Sequence, residues 1–193
     1  MHGLRDLVRG SIPFAVTFAL ICYIWWEHNK FFRRYGLQDA WTAFLNSALL
    51  FLVLFYVYPL KFLSMVLLGP LVGLGPAPIW DGRFVMLTYS SGLLAIFGVF
   101  VLLYRHAWSR RHLLGLEATE LVTLHFGKRA HAISMTLALV SLVLAYALPP
   151  NWAGISGMLY ALMGPLHAWN GVRMHRALTK LEPAKPVPVE SNA

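Results

Sequence analysis

Charge is scarce in this chain, and acidic charge scarcer still. Of 193 residues 12% are charged, with 8 Asp and Glu against 16 Lys and Arg, while 58% are hydrophobic and the mean hydropathy is +0.60. A water-soluble domain of this length needs more polar surface than that. Cysteine is almost absent: Cys22 alone rules out an intrachain disulfide and leaves no cysteine motif for a metal or a c-type haem. No Ser/His/Asp set, metal-spaced cluster or phosphate loop occurs, so neither an enzyme nor a bound cofactor is expected. The net charge of +8 is split into short clusters beside apolar runs and forms no stripe or arm, which argues against nucleic acid as a partner.

What the chain has in abundance is long apolar runs. A bilayer core of about 30 Å takes roughly 20 apolar residues per helical crossing. The runs predict an all-α integral membrane protein with about five transmembrane helices, at 11–32, 41–68, 84–106, 130–148 and 152–175. The first run is too long for a signal peptide and continues into Trp25 and Trp26 without a small-residue cleavage site. The second exceeds an untilted crossing, and Pro59 is expected to kink it near its far end. Pro149 and Pro150 end the fourth, so the fourth and fifth form an antiparallel hairpin. Residues 69–82, rich in Gly and Pro yet apolar, suit an interfacial loop. Between the third and fourth spans, 112–126 alternates apolar and polar residues at near-helical spacing and predicts a separate amphipathic surface helix. The transmembrane domain thus covers 1–181, and 182–193, with repeated Pro and no core-forming residues, is expected to be disordered.

Lys30, Arg33 and Arg34 follow the first span, Arg105, Arg110, Arg111, Lys128 and Arg129 lie between the third and fourth, and Arg173, Arg176 and Lys180 follow the fifth. By the positive-inside rule these segments are cytoplasmic, which places the N-terminus outside and the C-terminus inside. The expected location is a cell membrane, the inner membrane of a bacterium. Trp25, Trp26, Trp41, Trp108 and Trp152 fall at span ends, as an interfacial belt requires.

Polar groups inside a span need a partner or a purpose. His28 closes the first span and Asn46 sits inside the second, where the two can meet across an antiparallel pair. Such a bond can fix helix register or take part in an ion pathway. Glu27, beside Lys30, Arg33 and Arg34, reads as a surface ion pair. Histidines 28, 106, 131, 167 and 175 fall on the cytoplasmic half, so a haem-ligating redox subunit is the alternative from a different class. A non-conducting membrane scaffold is a third reading. Ala153, Gly157 and Ala161 recur every four residues in the fifth span, the small-residue spacing of a close helix-packing face in a bundle or between subunits.

The first helical pair carries a more specific pattern: IWWEHNKFF followed by LQDAWTAFLNSALLFLVLFYVYP, with Trp25 three residues before His28, then Phe32, Asn46 and Pro59. It resembles the second and third helices of the transmembrane protein 175 family, the potassium leak channels of bacteria and endolysosomes, which have a Trp-x-x-His motif, an Asn and a Pro in these places. The match is strong over roughly the first third of the chain; beyond it the spans agree in number, length and order. The resemblance implies a potassium channel subunit, potassium as permeant ion, and a tetramer or pseudo-tetramer selecting by hydrophobic constriction. It also implies that Trp25, His28 and Asn46 form a polar network bracing a pore-lining helix. The family's first helix, with its Arg-x-x-x-Phe-Ser-Asp motif, has no counterpart here, so conduction is expected only if oligomerisation or an upstream segment supplies a pore helix. Loss of that one crossing also accounts for the outside N-terminus.

Overall fold

The computed structural model describes residues 2–68 and 82–181. Four long helices come first: α1 (His2–Tyr35), α2 (Ala40–Leu68), α3 (Gly82–Ser109) and α4 (Ala118–Ala147). A 3-10 segment (Pro150–Leu162) then leads directly into α5 (Met163–Thr179). The protein is an all-α integral membrane bundle of five helical passes. Among the described residues, α2, α3 and α4 are each long and apolar enough to cross a bilayer on their own. The interfacial loop read at 69–82 and the tail at 182–193 lie almost wholly outside the described residues, which resume at Gly82.

α1 stops where Gly36 takes a left-handed conformation (φ 55°) and donates its N–H to the Phe32 carbonyl at 3.0 Å. α2 begins four residues later, at Ala40, under the Asp39 carboxylate, which accepts the Thr42 N–H at 2.8 Å. Helix α2 continues past Pro59 to Leu68.

Two features depart from the sequence reading. The separate surface helix expected at 112–126 does not form: residues 110–115 are turns, Gly115 (φ 59°) reverses the chain, and helix runs unbroken from Ala118 through the basic pair Lys128–Arg129. That pair looked like a span boundary, but Lys128 lies over the Trp108 ring (5.1 Å) and Arg129 over the Trp169 ring (4.6 Å), so both charges sit against interfacial aromatics without breaking the helix. The second departure is the first half of the fifth pass, which is 3-10 and not α. Proline at 149 and 150 starts it, Trp152 donates to the Pro149 carbonyl at 2.9 Å, and Ser156 donates its hydroxyl to the Ala153 carbonyl at 2.7 Å. At about 2.0 Å rise per residue this form covers more bilayer depth per residue than an α-helix does.

α3 and α4 share the most extensive interface, with α2 on the other side of α3 and α1 packed on α2. Glycine makes the tightest crossings possible. A Cβ at Gly92 of α3 would collide with the Tyr56 ring of α2, and one at Gly127 of α4 with the Tyr104 ring of α3. The core is aromatic at the basic end, where Phe31, Tyr35 and Tyr104 meet with ring centroids 5.0 to 6.0 Å apart.

Candidate functional site: polar contacts that hold α1 to the bundle

α1 packs mainly on α2 and leaves Phe14, Phe18, Tyr23, Trp25 and Trp26 exposed. Beside the core packing of Phe31 and Tyr35, a few polar contacts hold it. His28 Nε2 and the Asn46 Oδ1 of α2 are hydrogen-bonded at 2.5 Å, and Phe32 packs on the imidazole at 4.6 Å. Nearer the opposite end, the Thr17 and Ser64 hydroxyls lie 3.0 Å apart and are buried, with Ser64 also bonding the Leu60 carbonyl. Trp25 is 61% exposed and is not part of the His28–Asn46 hydrogen bond.

Glu27 is the contact that sequence reasoning undervalued. The expected ion pair is present, with Lys30 donating to Oε1 at 2.6 Å. The carboxylate is nevertheless buried, and its Oε2 lies 3.7 Å from His131 Nε2 of α4. His131 stacks on Phe100 (centroids 4.6 Å apart, planes at 9°) and also faces Tyr104. A residue classed as superficial therefore ties α1 to the α3–α4 pair. Its place four residues before Phe31 and eight before Tyr35, on one helical face with both aromatics, was the available signal.

Asp39, unremarked in the sequence, joins the α1–α2 connection to α3. One oxygen caps α2, and the other accepts a 2.5 Å bond from His106 Nε2, with Arg110 4.0 Å away. Thr42, whose backbone N–H the carboxylate accepts, and then His106 hold the carboxyl well below the usual carboxylate range. An Asp one residue before an apolar helical run and three before a Thr is a cap pattern that could have been read directly.

The remaining histidines and hydroxyls are distributed over the bundle. His167 of α5 pairs with Ser134 of α4 at 2.8 Å. Tyr160 donates to Ser90, Ser90 and Ser141 lie 3.0 Å apart, and Ser141 donates to the Ser156 carbonyl, which fastens the 3-10 segment to α3 and α4. His28, His106 and His167 each bond a different partner, and no cluster of three or more metal-ligating side chains exists among the described residues. Of the small residues in the fifth pass, Ala153 is buried, Gly157 lies 3.0 Å from the Met86 sulfur by its would-be Cβ, and Ala161 is exposed. With three residues per turn, positions four apart rotate off a common face, and it is Ala153 and Ser156 that are buried together.

Apolar helices long enough for a bilayer, with sparse polar contacts between them, define a multi-pass helical membrane protein. The chain is 37% identical to a potassium channel of Marivirga tractuosa over 175 residues, 82% of this chain and 70% of that relative. It is 26% identical to a potassium channel of Chamaesiphon minutus, over 75% of this chain and 70% of the relative. Its structure matches the potassium channel MtTMEM175, solved as a point variant with a nanobody–MBP fusion protein, with TM-score 0.77 and 34% identity over 91% of this chain and 82% of that one. No family model matches. This chain belongs to the transmembrane protein 175 family of potassium channels, as a multi-pass channel subunit and not an enzyme.

Proposed function

We propose that the chain conducts potassium as part of a homo-oligomer in the cell membrane, a bacterial inner membrane. The observation that carries this reading is the 37% identity to a protein named a potassium channel, over most of both chains. The exposed row Phe44, Phe51, Phe55 and Tyr58 on α2 supports an oligomer, since large aromatics at helical spacing suit packing against a second copy as well as lipid. The clustering of Lys30, Arg33, Arg34, Lys128, Arg129 and Arg176 at one end supports an outside N-terminus and an inside C-terminus. In this reading the His28–Asn46 bond sets the register of α1 on α2, and thereby the position of α1 beside the pore, while the exposed Trp25 anchors α1 at the interface.

The test is potassium flux in liposomes reconstituted with this chain and, in parallel, with a form extended upstream. Flux above that of empty liposomes, larger for potassium than for sodium, is the expected result. Silence from both forms refutes conduction. A purified chain that is monomeric in detergent and after cross-linking in membranes refutes the oligomer.

A further inference from the structure

At the basic end of the bundle a pocket of about 390 Å³ opens between the last turns of α1 and the first turn of α4, lined by Trp26, Asn29, Lys30, Arg33, Arg34 and Glu120. We propose that this pocket binds the phosphate of an anionic phospholipid headgroup.

Helix geometry gathers the donors. Positions 26, 30, 33 and 34 recur on one face of α1, so one ammonium and two guanidinium groups converge on a single concavity, with the Asn29 amide beside them. Lys30 is already engaged, by Glu27 at 2.6 Å and by the Trp26 ring at 4.3 Å. Arg33 and Arg34 are exposed, and neither forms a salt bridge with a described carboxylate. The one acid on the wall, Glu120, is committed to capping α4, accepting the Glu117 N–H at 3.0 Å. The pocket thus presents two guanidinium forks that no carboxylate bridges, the geometry that matches phosphate oxygens bidentately.

Its surroundings select a lipid over free phosphate. Trp26 is half exposed with its ring in the pocket wall, at the level where amphipathic rings meet headgroups. Toward the membrane the same side of α1 continues through Tyr23, 6.4 Å from Trp26 by ring centroids and exposed. A phosphate seated on Arg33 and Arg34 therefore has an apolar surface running away from it for acyl chains to follow.

Native mass spectrometry of the full chain, released from detergent doped with phosphatidylglycerol or phosphatidylcholine of the same acyl composition, tests the site. Preferential retention of one phosphatidylglycerol is expected, weakened roughly tenfold or more in R33Q/R34Q. A control, R176Q/K180Q, removes the same charge from the same end of the bundle and keeps wild-type retention. E120Q, which removes the only negative charge on the wall but keeps an acceptor for the cap, retains more phosphatidylglycerol; this arm decides the question should R33Q/R34Q lose its helical circular dichroism. Equal loss in the control, equal retention of phosphatidylcholine, or no gain in E120Q overturns the proposal. Displacement of phosphatidylglycerol by inorganic phosphate at equal concentration overturns the lipid assignment, because it means that the apolar wall contributes nothing.

Discussion

His28 and Asn46 meet at 2.5 Å across α1 and α2, eighteen residues apart in sequence, through a connection only four residues long. An unpaired imidazole or amide at that depth is costly, so each group constrains the other, and the bond sets how far α1 can slide along α2. Measured by a double-mutant cycle of H28F and N46L on thermal unfolding in detergent, the coupling should fall at about 0.6 to 1.7 kcal/mol, the range found for hydrogen bonds between membrane helices. Additive effects of the two substitutions would show that the bond contributes nothing to stability.

That pair was legible in the sequence because it rests on local features: an apolar helical period, a short connection and two polar residues at matching depth. The passes were legible for the same reason, each being set by the length of its own apolar run. Residues 112–126 were misassigned because a charge pair was taken as a membrane boundary, whereas Lys128 and Arg129 reach interfacial rings contributed by Trp108 and Trp169, from other parts of the chain. The stripe at 153, 157 and 161 assumed an α-helical period, and two consecutive prolines with Ser156 folding back onto Ala153 impose a 3-10 one. Glu27 and His131 are 104 positions apart by their numbers, and only the packed bundle reveals their proximity.

The burial of Glu27 between Lys30 and His131 has a measurable consequence. E27Q keeps the shape and some hydrogen bonding, while E27A removes both and leaves His131 facing a void. Unfolding in detergent should rank wild type above E27Q and E27Q above E27A. The alanine loss should be about 1–3 kcal/mol, below that of a fully buried pair because Lys30 is itself about a third exposed. Equal melting of E27A and wild type would reduce the contact to a surface pair.

Asp39 gives the pH dependence. Its carboxyl titrates lower in the folded protein than in the unfolded chain, so folding favours the ionised form. The contribution is complete above the ordinary carboxylate value of about 4 and is lost as acid approaches the lower folded value. D39N retains a capping side chain but not the charge facing His106. It should melt lower than wild type at pH 7, and the two curves should converge as the pH falls below about 4. A difference that stays constant from pH 7 to pH 3 would assign the effect to the cap alone.

Gly127 and Tyr104 make the sharpest packing prediction. In an isolated helix alanine is favoured over glycine by about 1 kcal/mol, so G127A would stabilise α4 if the site were open. The site is closed: the Tyr104 ring lies where the methyl would go, and Phe31 at 5.0 Å, Tyr35 at 6.0 Å and His131 at 5.0 Å surround that ring. Overpacking at about 1–3 kcal/mol should exceed the helical gain, giving a lower melting temperature for G127A. Y104L, which vacates the space, should lower stability by itself through lost aromatic packing. The double variant G127A/Y104L should then be no less stable than Y104L, because without the ring the alanine exerts only its helical preference. A G127A protein that melts above wild type would mean that the ring moves aside and that α3 and α4 are not held together by this glycine.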